Sequence, residues 1–268
     1  MSGNFFRSFI YLMSRLKYAS ACFVHSFLDF RLTRKGFDLS KYPSKIKKYH
    51  NRYSGKRCFV IGNGPSLTAN DLNKIKGEYS FASNGIYGVY NKTEWRPSFY
   101  FCQDVHFTKT NIDTIRNIVK SNKFLCYLGK EYWDKTAIRF FVDNEDNQNG
   151  RPPRFSEDFS NCTHGGRTVT YSMIQAAVYM GFKEIYLLGV DSNYTMNDKG
   201  IDKSSYSADL QVDSSKFGGR PPDLEYTLLS YKKAHEYAKE HKINICNATR
   251  GGMLEAFPRV GFDDIKGI

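Results

Sequence analysis

The sequence has no CxxC pair, no apolar run long enough to span a bilayer, and neither common glycine-rich nucleotide fingerprint, GxGxxG or GxxxxGK[ST]. Its six cysteines, Cys22, Cys58, Cys102, Cys126, Cys162 and Cys246, are scattered, several inside apolar runs. That pattern argues against a zinc cluster and a disulfide framework and fits a reducing cytosol. The longest uncharged stretch near the N-terminus, Tyr18 to Leu28, is shorter than the ~20 residues a membrane crossing needs, and no small-residue cleavage site follows it. No serine or cysteine has nucleophile-elbow spacing, so hydrolase chemistry lacks support. There is no internal repeat. Acidic residues are scarce in one region: residues 1–57 hold 13 Lys/Arg against Asp29 and Asp38 alone. Of the formal charge of +12, the remaining 26 basic and 25 acidic residues contribute only +1. The body is nearly neutral, and no nucleic-acid motif accompanies the basic tract, which argues against a nucleic-acid partner.

What is present is ample material for a core, with 41% hydrophobic and 16% aromatic residues in a chain of 268. Three segments are expected. Residues 1–40 place Phe5, Phe9, Leu12, Met13, Leu16, Phe23, Val24 and Phe27 on one helical face, with Arg7, Arg15, Lys17, Arg31, Arg34 and Lys35 around it. Such a basic amphipathic helix, through residues 1–35, suits an anionic membrane surface or a protein face; the first option puts the protein in the cytoplasm, peripheral on the inner side of the cell membrane. Residues 41–57, KYPSKIKKYHNRYSGKR, read as a basic linker. From residue 58 to 268, short apolar runs alternate with helical patterns: RCFVIG then SLTANDLNKI, EYSFAS, SFYFCQ then TNIDTIRNIVKS, KFLCYL, TVTYSMIQAAVYMG then KEIYLLGVD, and LEYTLLSYKKAHEYAKEHK then INICNAT. This predicts an α/β body of Rossmann type, a mostly parallel sheet with helices on both faces, interrupted by polar, lid-like insertions over about 131–166 and 192–222.

Ligands of such sheets bind at the carboxyl ends of the strands. There the sequence places Asn63, Ser83, Asn84, Gln103, Asp104 and Asp191. The first strand runs into Gly62-Asn63-Gly64-Pro65-Ser66. Glycines there let backbone N–H groups approach an anion, and a following helix adds partial positive charge, so the turn suits a phosphate; a tight structural turn is the competing reading. Arg167, and Arg250 with Gly251 and Gly252, are candidate anion contacts. Asp143, Glu145 and Asp146 in RFFVDNED could hold a divalent cation, but a solvated acidic loop is the favoured reading.

Two stretches, VIGNGPSL and RTVTYSMIQAAVYMGFKEIYLLGVDSNY, resemble the corresponding parts of bacterial family-42 sialyltransferases, with a looser likeness over residues 57 to about 260. The resemblance extends to a related domain-of-unknown-function group that includes flagellin-modifying motility accessory factors and a hydroxymethylpterin diphosphokinase. It implies a glycosyltransferase with a modified single Rossmann fold that holds a CMP-linked donor without an essential metal or other cofactor. By position it gives the donor to Gly62, Asn63, Gly64, Pro65, Ser66, Asn84, Asp104, Thr168 and Asp191, with Tyr194 near the leaving phosphate. The chain departs from the family at Val169, where a serine is expected, and at Glu225, where the catalytic histidine is expected. Glu225 and Asp223 are therefore candidate bases for an inverting transfer, with His164 and His106 as rivals; acids stabilising a helix N-terminus is the bland alternative for the first two. The expected partners are a nucleotide-sugar, a glycan or glycolipid acceptor, and a second copy of the chain. The alternatives are a Mg²⁺-dependent diphosphokinase acting on a pterin-like alcohol, and a non-catalytic nucleotide- or glycan-binding subunit.

Overall fold

Seven parallel strands form one sheet: β1 (Arg57–Ile61), β2 (Ser80–Ser83), β3 (Phe99–Cys102), β4 (Asn122–Cys126), β5 (Ile138–Phe140), β8 (Glu184–Leu188) and β11 (Asn244–Asn247), in the order β11-β8-β1-β2-β3-β4-β5. The computed structural model describes residues 45–126, 134–144, 146, 150–197, 200–210 and 223–268. The amphipathic stretch 1–40, Glu145 of the acidic loop and much of the second insertion lie outside the described residues. Among the described residues two short pairs add to this sheet's strands, β6 (Val142–Asp143) with β7 (Thr163–His164) and β9 (Met196–Asn197) with β10 (Gly200–Ile201).

The strands are continuous apolar runs because both faces of the sheet are covered. Side chains alternate across it. Val60 faces a core with Phe81, Phe101, Phe124, Ile185 and Leu187, closed by α3 (Val169–Tyr179) and α4 (Leu224–Glu240). Phe59 and Ile61 face the other core, with Tyr100, Cys102 and Leu125, closed by α1 (Ala69–Lys74), a 3-10 turn over Asn84–Val89 and α2 (Val105–Ile118). Aromatic packing is dense: the rings of Phe101 and Phe124 stack at 4.7 Å and 4°.

These four helices begin on a side chain that accepts a first-turn N–H: Asp104, Thr168, Asp223 and Thr68, whose own amide donates in return to Asp71 Oδ2. The edge strand β5 is not foreseen by apolar pattern because its middle residue is Arg139, which is buried and donates through Nη1 to the Cys126 carbonyl at 3.1 Å. Residues 46–268 form one compact unit. Its first residues, within the stretch read as a linker, lie against the body: Ile46 is buried, Tyr49 and Tyr53 pack on the core, and the Asn51 and Tyr53 amides donate to Tyr179 O (3.1 Å) and Met180 O (2.8 Å). Among the described residues no helix is long and apolar enough to cross a membrane.

Candidate functional site

The strand order turns back between β1 and β8. From β1 the chain builds outward through β2, β3, β4 and β5, then returns to the other side of β1 for β8 and β11. At such a switch point the loops leaving the two central strands diverge and open a crevice. A cleft lies there, lined by Gly62, Asn63 and Gly64 after β1, by Gly189 to Tyr194 after β8, by Arg167, Thr168 and Thr170 at the start of α3, and by Leu224, Thr227 and Tyr231 of α4. Ser205 and Tyr206 close one side. About 100 Å³ admits water within a wider, solvent-open space of about 610 Å³.

Packing alone demands both glycines of the first loop. The Gly62 amide donates to Leu188 O (2.8 Å) and the Gly64 amide to Gly189 O (2.9 Å), so the loop continues the strand pairing. A Cβ on Gly62 would overlap the Gly189 carbonyl; one on Gly64 would overlap the Asp191 carboxylate and lie 2.8 Å from Gly189 O. Asp191 then fixes the far end of the loop, accepting from Ser66 Oγ at 2.8 Å and from the Ser66 amide at 3.3 Å. Burial raises the Asp191 pKa, and the Ser66 bonds oppose that shift.

The opposite wall carries hydroxyls. Thr168 caps α3 after two consecutive left-handed residues, Gly166 (φ 54°) and Arg167 (φ 61°), which turn the chain sharply enough to present the helix N-terminus to the cleft. Tyr231 is fully buried, and burial raises its pKa. Tyr194 is 39% exposed as a residue, yet its surroundings raise its pKa, burial first and the Asp191 charge second. Burial beside Tyr194 pushes the Tyr206 phenol up to about 12. Among the described lining residues Arg167 is the cation; its Nε stands 3.5 Å from Asp223 Oδ2.

Of the residues singled out from sequence, Gly62, Asn63, Gly64, Arg167, Thr168, Asp191 and Tyr194 line the cleft, and Ser66 is tied to Asp191. Pro65 lies between Gly64 and Ser66 in that loop. Asn84 stands one shell back: Asn63 Nδ2 donates to the neighbouring Ser83 carbonyl at 3.2 Å, and the Oδ1 atoms of both asparagines are buried without a partner. Gln103 is engaged with Ser172 Oγ (2.6 Å) and Gly165 O (3.4 Å), and the Asp104 carboxylate caps α2 by accepting from Phe107 N (2.9 Å). Asp223 caps α4, accepting from Tyr226 N at 3.0 Å. Glu225, in the same first turn, is exposed and is not among the lining residues.

His164 lies in a separate cluster. Its Nδ1 is buried, 3.8 Å from both Asp143 Oδ2 and Asp146 Oδ2, and Arg154 joins those carboxylates at 3.0 and 2.6 Å. Burial, then the Arg154 charge, lower the His164 pKa against the pull of the two aspartates. The acidic loop expected to be solvated is thus ion-paired, with Asp146 buried. Sequence reasoning missed Thr170, Tyr206, Leu224, Thr227 and Tyr231; the last three recur at helical spacing, which was the available signal.

A parallel sheet with glycine-bearing loops and a helix N-terminus around a switch-point cleft defines a Rossmann-type α/β protein. The sequence profile of the family described as 6-hydroxymethylpterin diphosphokinase MptE-like matches residues 35–197, and the chain belongs to that family. This lies within the wider group suggested by the GNGPSL loop. Among solved structures, the MAf glycosyltransferase from Magnetospirillum magneticum AMB-1 is similar at a TM-score of 0.52 and 15% identity, over 85% of this chain and 39% of that one. The likeness shows a shared fold, and this chain spans about two fifths of that protein's length. The Campylobacter jejuni sialyltransferases CstII, in complex with cytidine-5'-monophosphate (TM-score 0.43, 17% identity, 77% of this chain and 85% of that one), and Cst-I (0.43, 16%, 76% and 80%) also match. No curated protein matches the chain by sequence.

Proposed function

We propose that the chain is a glycosyltransferase that takes a sugar, such as a nonulosonic acid, from a CMP-linked donor and passes it to a surface glycan by inverting displacement. The observation that carries this reading is the switch-point cleft itself. Its floor is two backbone loops held together at Gly62, Gly64 and Asp191, and its wall is a helix N-terminus with Thr168, Thr170 and Arg167. That set suits a phosphate monoester leaving group: hydroxyls, a helix N-terminus and one guanidinium in place before charge develops. Arg167 and Tyr194 would meet the leaving phosphate, and the unpartnered Asn63 Oδ1 would accept from a donor group of the nucleoside. Asp223 and Glu225 sit in the first turn of α4 beside the cleft-lining Leu224. An acceptor hydroxyl arriving over Leu224 would give up its proton to one of them. Residues 1–35 would bring the enzyme to the inner face of the membrane, where lipid-linked glycans are built.

The family description supports a second reading, a diphosphokinase. Such chemistry uses Mg²⁺ held by carboxylates. The cleft fits a resident Mg²⁺ poorly: among its described lining residues Asp191 is the one carboxylate, both its oxygens are engaged by Ser66, and no group of three or more His, Cys, Asp or Glu suited to a metal occurs among the described residues.

The test is a thermal-shift panel of CMP, CDP, UDP, GDP and ATP with their sugar conjugates, each with EDTA and with Mg²⁺, since a ligand of the native state raises its melting temperature. Stabilisation by CMP or CMP-sugars in EDTA is expected. Stabilisation by ATP with Mg²⁺ alone overturns the transferase in favour of the diphosphokinase. Turnover with Asp223→Asn and Glu225→Gln then identifies the base: loss on one substitution with donor stabilisation retained assigns it, and unchanged turnover in both removes both.

A further inference from the structure

The near-zero charge of the body hides a segregation along the strand direction. All seven strands of the main sheet are parallel, so every residue that precedes a strand lies at one end of the body and every residue that follows one lies at the other. Following the strands come Asn63, Asn84, Asp104, Asp143 and Asp191, and Arg154, Arg167 and Arg250 at that end each stand beside a carboxylate; preceding the strands come Lys56 before β1, Lys120 before β4, Lys183 before β8, and Lys239 and Lys242 before β11. Lys56 and Lys183 are immediate neighbours, because the Lys183 amide donates to Lys56 O at 3.1 Å, and the Asn244 amide donates in turn to Lys183 O at 2.8 Å. The segment 45–56 crosses this same end on its bonds to Tyr179, Met180 and Gly181, and it contributes Lys47, Lys48 and Arg52. Lys266 joins through its carbonyl, which accepts from Arg57 Nη1 at 2.6 Å.

Nine basic side chains there, Lys47, Lys48, Arg52, Lys56, Lys120, Lys183, Lys239, Lys242 and Lys266, are exposed. Among the described residues Glu157, Glu184 and Glu240 are exposed carboxylates at this end without a Lys or Arg partner, while Glu78 is paired with Arg57, and Glu94 with Lys76. Tyr49 and Tyr53 pack on the core, and Tyr79, which precedes β2 and is 38% exposed, sets its ring against Tyr53 (4.9 Å) and Phe182 (5.6 Å), so the rings here pack on one another. Adjacent parallel strands stand about 4.8 Å apart, so their leading residues form a broad row rather than a groove.

We infer that this basic end is a docking face for an anionic lipid surface, built into the body independently of residues 1–44, and that it directs the cleft away from the bilayer. A row of ammonium groups on long flexible stems, with no groove between them, matches a plane of headgroup phosphates better than a nucleic acid strand, which calls for a channel that follows the backbone. The cleft lies at the opposite end of the same strands, so docking leaves it open to soluble donor. The inference does not depend on which reaction the cleft performs.

The test uses the full-length chain and 100 nm vesicles of phosphatidylcholine alone or with one quarter phosphatidylglycerol, by co-sedimentation across a salt series. The triple variant Lys183→Gln, Lys239→Gln, Lys242→Gln removes three exposed charges with no role in the cleft, and circular dichroism verifies its fold. Each lysine near an anionic surface contributes about fivefold in partitioning, so the variant is expected to bind anionic vesicles about 100-fold more weakly at low salt, with binding to neutral vesicles unchanged. Lys203→Gln, at the cleft end, is expected to bind as the parent does. Equal partitioning of the triple variant and the parent overturns the inference. So does tighter binding to a 30-base-pair DNA duplex than to anionic vesicles at matched phosphate concentration and salt, which would assign the face to nucleic acid.

Discussion

Replacing Gly64 with alanine tests whether the first loop is shaped by its neighbour. Gly64 is not held in the left-handed region, so its backbone accepts alanine; the obstacle is space. The new methyl would overlap Asp191 Oδ2 and stand 2.8 Å from the Gly189 carbonyl oxygen. Relief requires moving the carboxylate, which breaks its bonds to Ser66 Oγ and N, or parting the β1 and β8 loops, which breaks the Gly64 amide bond to Gly189 O. Hydrogen bonds to a charged group contribute about 1.5–3 kcal/mol and overpacking costs about 1–3 kcal/mol, so the sum is about 2.5–6 kcal/mol. For a domain of this size that is a fall in Tm of roughly 5–25 °C. Gly77→Ala is the control: nothing lies within 4 Å of its added Cβ, and its Tm should match or slightly exceed the parent's. The assay is calorimetry of both variants beside the parent, followed by the nucleotide panel. A Gly64→Ala protein melting within about 1 °C of the parent would refute the steric account of the loop.

Two further expectations concern pH. The folded pKa of Asp191 lies above its unfolded value of about 3.9, so this group favours the fold most when protonated, and its contribution is lost as pH rises through the folded pKa. Asp191→Asn, which can still accept from Ser66 N, should therefore gain in Tm relative to the parent between acid and neutral pH; a relative loss over that window contradicts the burial argument. His164 behaves oppositely: its folded pKa lies below the unfolded value of about 6.5, so its contribution is present above that value and lost as pH falls through the folded pKa. His164→Gln should flatten the decline in Tm on acidification from pH 7, and an unchanged slope would show that its neighbours Asp143, Asp146 and Arg154 govern it instead.

The strand and helix order was legible because parallel strands covered on both faces are uninterrupted apolar runs, as in CFVI and IYLL, and because helix starts carry Thr68, Asp104, Thr168 and Asp223. The strand β5 was not, since Arg139 at its centre breaks the run and is accommodated by tertiary contacts. The sequence reads the first loop either as a turn whose glycines admit an anion or as a tight structural turn. The structure adds a nearer cause in Gly189 and Asp191, contributed by a strand over a hundred residues downstream. Gln103 and Asp104 were placed correctly at a strand end, yet their polar atoms are used within the fold, which a strand-end rule cannot distinguish from ligand contact. Tyr231 and Thr227 were hidden for the converse reason: in sequence they belong to an ordinary amphipathic helix, and only the return of the chain to the far side of β1 brings that helix to the cleft.

The same return has a kinetic consequence. Strand β1 pairs with β2 shortly after it is made, but its other edge waits for β8, whose register matches Arg57 to Glu184 and Ile61 to Leu188. At synthesis rates of about 5–20 residues per second, that interval is roughly 6–25 s. During it the central strand presents a bare edge, a site for mispairing that a finished chain no longer has. The glycine loop likewise has no wall and Ser66 no carboxylate until Asp191 emerges. The cleft is therefore among the last features of the sheet to form, and a small molecule that binds there stabilises the completed chain without guiding the nascent one.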